Sequence, residues 1–190
     1  MEANYYLVVD LESTCDDAGA VPRAESEVIE IGAVLVDGRT LERVDDFATF
    51  VRPVRHPTLT TFCKRLTTIT QAQVDDAPGF AEAAAAVAAF GQDALFCSWG
   101  NYDRNKLAED AAFHGVAMPL GPAHWNLKVA FSKRRLGMSE ALRLAGLALV
   151  GTHHRGIDDA RNIARLLPYI LKRGAAWRSK QFGATKASKP

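Results

Sequence analysis

The stretch YYLVVDLEST, residues 5–14, sets two acids where acids are costly. Tyr5 to Val9 is a short apolar run of the β-branched and aromatic residues that build a strand buried on both faces. It ends in Asp10, Leu11, Glu12. Side chains two apart on a strand share a face, so Asp10 and Glu12 project together. Like charges held that close repel, and desolvation adds to the cost. Three further acids sit at element junctions: Asp103 in CSWGNYDRNKL, and Asp158 and Asp159 in THHRGIDDARNIARLL, just behind His153 and His154. In open α/β sheets the strand ends form the ligand crevice, and carboxylates converging there cannot all stay ionised without cations. Hard oxygens suit magnesium or manganese, and two such ions about 3.5–4 Å apart are the clamp for phosphodiester displacement. A nearby histidine with a near-neutral pKa would supply the general base for an attacking water.

Asp158 and Asp159 each follow a histidine by five residues, so spacing leaves the pairing ambiguous. Helical phase separates them. Ala160, Ile163, Leu167 and Ile170 form the apolar stripe, with Asp159 at its edge, whereas Asp158 falls with Asn162, Arg165 and Tyr169. Asp159 therefore faces the sheet, and His154 stands five residues before it. Taken singly, each signal has an ordinary explanation: a solvated strand exit, a helix-start residue, acids stabilised at a helix N-terminus. Their conjunction in this order is what points to a site.

The elements that must position these residues follow from the pattern. Val28 to Val36 is a second apolar run ending in Asp37-Gly38, a hairpin signal, and Arg43 to Pro53 returns as a third strand. Short helical pieces and turns fill Thr58 to Gln73, and the alanine-rich AEAAAAVAAF at 81–90 is a helix. A strand at 94–98, a helix at 101–114 and a short edge strand at 125–127 follow, then helices at 128–135, 139–147 and 158–173. Hairpin-linked strands followed by strand–helix alternation mean an α/β fold, a mixed sheet with helices on its faces.

One hundred and ninety residues, 48% of them apolar, suit a single domain with a sizeable core. A net charge of +1 advertises no strong global field, although no acid follows Asp159 while eight lysines and arginines do. Cys15, Cys63 and Cys97 are scattered and odd in number, which argues against a disulfide framework or a zinc site. Neither a signal peptide nor a membrane span is expected, so a cytoplasmic setting is the default. A glycine-rich turn after Val9 is missing, which excludes a nucleotide-cofactor domain. A phosphoacceptor receiver domain needs a helix directly after its first strand, where this chain has hairpin-linked strands.

Together the residues resemble the DEDDh 3′-to-5′ exonucleases, which carry D-x-E after the first strand, an Asp in the second motif and H-x-x-x-x-D in the third. The likeness is to the Eri-type subgroup in particular, which includes the histone-mRNA 3′-exonuclease. DLESTC at 10–15, EVIEIGAVLVD at 27–37, TFCKRLTTITQAQVD at 61–75, SWGNYD at 98–103 and HRGIDDARNIARL at 154–166 carry it. The resemblance implies an RNase H-like fold of five strands ordered 3-2-1-4-5, the second antiparallel to the rest, with helices on both faces. It implies two magnesium ions, replaceable by manganese, held by Asp10, Glu12, Asp103 and Asp159, and His154 as base. The implied substrate is the 3′ end of single-stranded RNA or DNA, RNA favoured, released as nucleoside 5′-monophosphates. Leu11, Thr14, Phe62 and Tyr102 would grip the terminal nucleotide, the aromatics holding its base and Thr14 lying near its sugar. On this basis the exonuclease domain covers 1–173, and 174–190 is a basic, disordered tail. A catalytically silent nucleic-acid-binding module is the alternative, but all four carboxylates and the histidine are present. One departure stands out: the subgroup's L-T-G-I-T is Leu66-Thr67-Thr68-Ile69-Thr70 here. A β-branched Thr68 suits positive φ poorly, so the local backbone is expected to differ.

Overall fold

The first strand runs further than its apolar core. In the structure, a computed structural model that describes residues 3–171, β1 (Tyr5–Ser13) continues through Asp10 and Glu12. It does so because β2 (Val28–Asp37) pairs with it antiparallel over that whole length, Asp10 opposite Gly32 and Glu12 opposite Glu30. After a turn at Asp37, β3 (Arg43–Phe50) pairs antiparallel with β2. On the other side β4 (Leu95–Ser98) lies parallel to β1, and β5 (His124–Asn126) parallel to β4. The order is β3-β2-β1-β4-β5 with β2 antiparallel to the rest, the expected RNase H-like sheet. A receiver-like topology is thereby excluded.

Alternation along β1 divides the core. Tyr6 and Val8 join Val34 and Val36 beneath α5 (Leu127–Phe131), α6 (Met138–Ala145), α7 (Gly156–Ala164) and α8 (Leu167–Leu171). Leu7, Val9 and Leu11 face the other way, against α3 (Phe80–Phe90) and α4 (Tyr102–Phe113). A smaller cluster of Ile29, Leu59, Cys63, Ile69 and Val74 seats α1 (Thr61–Thr67) and α2 (Gln71–Asp75). None of the described helices is long and apolar enough to cross a membrane.

Three expectations need correction. The helix expected at 128–135 ends at Phe131, because Ser132 turns extended and its hydroxyl oxygen accepts the Arg134 amide instead of a helical bond forming. The helix expected at 158–173 is two, α7 and α8, since Pro168 has no N–H to continue the ladder. Thr68 does not avoid the left-handed region: it closes α1 at φ 61° and ψ 8°, a conformation commonest for glycine at a helix end. The expected basic tail at 174–190, and the domain boundary before it, lie outside the described residues.

Candidate active site

Asp10 and Glu12 leave β1 on the face of Val8, the face that α7 covers. Gly32, opposite Asp10, lets the first turn of α7 settle onto the strand backbone. A Cβ at Gly32 would lie 2.1 Å from the Gly156 carbonyl carbon, and one at Gly156 would lie 3.0 Å from the Asp10 carbonyl oxygen. From that seat α7 turns Asp159 inward, 4% exposed, as helical phase predicts. Asp158 points away, its carboxylate accepting the Thr152 amide at 2.9 Å and pairing with Arg161 at 3.1 Å. Asn162, expected on that outer flank, is fully buried. The preceding loop covers it, with the side-chain amide donating to the Val150 carbonyl at 2.8 Å and its oxygen accepting the Val150 amide at 3.1 Å.

Asp103 arrives from the first turn of α4. Its Oδ1 accepts the amide of Leu11, between the two β1 acids, at 3.1 Å. The helix is locked in place further along, where buried Lys106 lies 3.1 Å from Asp110 and Asp110 Oδ2 accepts the Val28 amide at 2.7 Å. The structure therefore brings Asp10, Glu12, Asp103 and Asp159 to one end of β1.

One carboxylate oxygen from each of Asp10, Glu12 and Asp159 lies within 4.8 Å of the other two. Burial and then the charge of Asp103 hold the Asp10 carboxyl well above the usual carboxylate range. Burial, followed by Asp159 and Glu30, pushes Glu12 up to about 8. Burial lifts Asp103 to about 6, against the pull of the Leu11 amide. Oxygen donors that converge yet resist ionisation fit a hard divalent cation, whose charge would reverse these shifts.

Both histidines meet Asp159, in different ways. Nδ1 of His153 lies 2.8 Å from Asp159 Oδ2, and the His154 backbone amide donates to that oxygen at 3.0 Å. The two rings stack with centroids 4.0 Å apart. No hydrogen bond engages either His154 ring nitrogen among the described residues, and burial followed by His153 lowers its pKa. His154 adopts φ 65°, a turn that its sequence does not announce.

The expected substrate contacts divide. The Tyr102 hydroxyl donates to Ser13 Oγ at 3.1 Å, and the residue is 44% exposed. Thr14 is buried, its Oγ1 accepting the Glu27 amide at 2.9 Å. Phe62 is half-buried on α1, with the Arg65 guanidinium 5.7 Å from its ring centroid. The Leu11 side chain packs in the α3–α4 core, so its amide rather than its side chain meets the acids. Sequence reasoning missed Glu30 and Arg155, joined at 3.1 Å beside the cluster. A signal was there: a lone acid inside the apolar run 28–36 must be buried, and a buried charge needs a partner.

An Exonuclease family model (RNase_T) matches residues 7–167. The chain is 32% identical over 188 residues to ERI1 exoribonuclease 3 of Mus musculus, covering 90% of this chain and 55% of that protein. It is 28% identical over 200 residues to the 3'-5' exonuclease eri1 of Schizosaccharomyces pombe, covering 86% and 66%. The chain thus spans about half the length of the mouse relative. Among solved structures, the nuclease domain of 3'hExo, described as a DEDDh family member and bound to rAMP, superposes with a TM-score of 0.80. The identity is 27%, over 90% of this chain and 94% of that one.

Proposed function

The chain belongs to the exonuclease family, and from that membership we propose that it shortens single-stranded nucleic acid from the 3′ end, releasing nucleoside 5′-monophosphates. RNA is the favoured substrate, since relatives along most of the chain are named exoribonucleases. The observation that carries the proposal is the convergence of Asp10, Glu12, Asp103 and Asp159 beside an imidazole with unengaged nitrogens. The cytoplasm remains the proposed setting.

Asp10, Glu12, Asp103 and Asp159 would hold two magnesium ions, or manganese in their place, which when bound neutralise charge on the attacking and leaving oxygens. His154 takes the proton of the attacking water; burial, followed by His153, lowers its pKa and so favours the neutral ring that can accept. The water oxygen bonds to phosphorus as the bond to the 3′ oxygen of the preceding nucleotide breaks, which leaves a new 3′ end. Thr14 already accepts a backbone amide, so its hydroxyl proton is the part left to offer a terminal sugar oxygen. Phe62 and Tyr102 present rings to the terminal base, a grip that tolerates any sequence.

The test is digestion of 5′-labelled single-stranded RNA and DNA with magnesium, manganese or EDTA. A ladder shortening from the 3′ end only with metal is expected, faster on RNA. Intact substrate under every condition would overturn the proposal.

A further inference from the structure

Glu30 is a fifth acid at the site, 1% exposed and directly opposite Glu12 on β2. A bare carboxylate could not be kept there beside four others. Both of its oxygens are occupied. Oε2 accepts Arg155 Nε at 3.1 Å and the Gly156 amide at 3.0 Å, and Oε1 accepts Arg155 Nη2 at 3.3 Å. A forked guanidinium on a carboxylate fixes direction as well as distance.

The place of Arg155 in the chain gives this pair its consequence. Arg155 follows His154 and is the N-cap of α7, yet its own side chain caps nothing. The cap comes from across the sheet: Glu30 takes the first amide of the helix that carries Asp159. His154, immediately before, sits at φ 65°, a conformation that a non-glycine residue holds only when its neighbours over-determine it. On one side its amide is bound by Asp159, and on the other Arg155 is bound by Glu30.

We propose that Glu30, acting through Arg155 and the Gly156 amide, is a positioning residue that sets the turn presenting the His154 imidazole to the carboxylates. The inference rests on the exonuclease reading above for its kinetic consequence, and on geometry alone for its structural one. Glu30 itself touches no substrate. Three hydrogen bonds turn its carboxylate toward Arg155 and the Gly156 amide, which gives Glu30 the part of a hydrogen-bond acceptor beside the four carboxylates.

The experiment compares Glu30→Gln, Arg155→Ala and Arg155→Lys with the parent chain and with His154→Ala. Glu30→Gln should fold, lower kcat by about 10- to 100-fold and leave KM for a short oligonucleotide unchanged. Arg155→Lys should recover part of the rate that Arg155→Ala loses. Added to His154→Ala, Glu30→Gln should cost little more, because both act through one imidazole. In 13C-labelled protein the cross-ring NOE between His153 and His154 should vanish on Glu30→Gln, whether or not the chain has activity. Full kcat in folded Glu30→Gln, additive losses in the double variant, or an unchanged NOE would each overturn the proposal. So would a loss of manganese affinity equal to that of Asp10→Asn, which would make Glu30 a ligand. A parent chain that degrades no nucleic acid would instead sink the exonuclease reading, with the NOE still deciding the role of Glu30.

Discussion

A single oxygen, Oδ2 of Asp159, lies 2.8 Å from the His153 ring nitrogen and accepts the His154 backbone amide at 3.0 Å. One histidine is thereby engaged by its side chain and its neighbour by its backbone only. We propose His154 as the general base because both of its ring nitrogens are open among the described residues, whereas His153 keeps only Nε2 open. His154→Ala should lower kcat by about 10²- to 10⁴-fold, the usual contribution of such a base. His153→Ala should cost far less. Single-turnover cleavage of a labelled oligonucleotide at saturating metal measures both, and the reverse ranking would reassign the base to His153.

The crowded carboxylates make the metal-free chain sensitive to alkali. Glu12 sits at about 8 against an ordinary 4.5, and Asp103 at about 6 against 3.8. Between those values the folded state holds more protons than the unfolded chain, so these groups make stability fall as pH rises. The loss should run from about pH 4 to 6 for Asp103 and to about 8 for Glu12. In EDTA the Tm should therefore drop from pH 5 to pH 8, less so in Glu12→Gln. Added manganese should raise Tm more at pH 8 than at pH 5. A Tm in EDTA that is flat or rising across this window, with the same slope in Glu12→Gln, would contradict the electrostatic account.

Period-two alternation put Asp10 and Glu12 on one face of β1, and helical phase turned Asp159 inward, so those side chains were legible from sequence. The strand order depended on family likeness, because hairpin and crossover signals leave the edge places of β3 and β5 open. The histidine pair was not legible. Which ring meets Asp159 depends on a left-handed φ at His154, and no residue type there announces it. The partner of Glu30 was equally hidden, since Arg155 lies 125 residues away and only the fold brings them together. Local pattern places side chains on a face; contacts across the sheet need the packed structure.

Gly32 should tolerate no side chain. A Cβ there would meet the Gly156 carbonyl carbon at 2.1 Å and the Ile157 amide nitrogen at 2.2 Å, both backbone atoms that cannot turn aside. Relief would require α7 to lift from the sheet, carrying Asp159 and the histidine turn with it. Gly32→Ala should cost about 1–3 kcal/mol or more, as overpacking does, and abolish turnover in whatever fraction folds. Gly121→Ala is the control, with nothing within 4 Å of its Cβ. Urea midpoints and single-turnover rates on the two variants test this, and parent-like behaviour of Gly32→Ala would show that the close approach is not needed.

Thr68 closes α1 at φ 61° with its side chain exposed, where the Eri-type pattern has glycine. For a β-branched residue this conformation costs roughly 1–2 kcal/mol, partly offset because glycine loses more backbone freedom on folding. The turn is nonetheless kept, braced by the helices on either side: Thr60 caps α1, and Thr70 caps α2 through a reciprocal pair with Gln73. Thr68→Gly should therefore raise stability by up to about 1 kcal/mol without moving α1 or Phe62. Since the backbone already has the glycine-like form, kcat and KM on short RNA should stay at parent values. Urea unfolding with matched kinetics checks both halves. A lower midpoint would mean the threonine hydroxyl or methyl makes a stabilising contact, and a changed KM would place the Thr68 side chain in the substrate path.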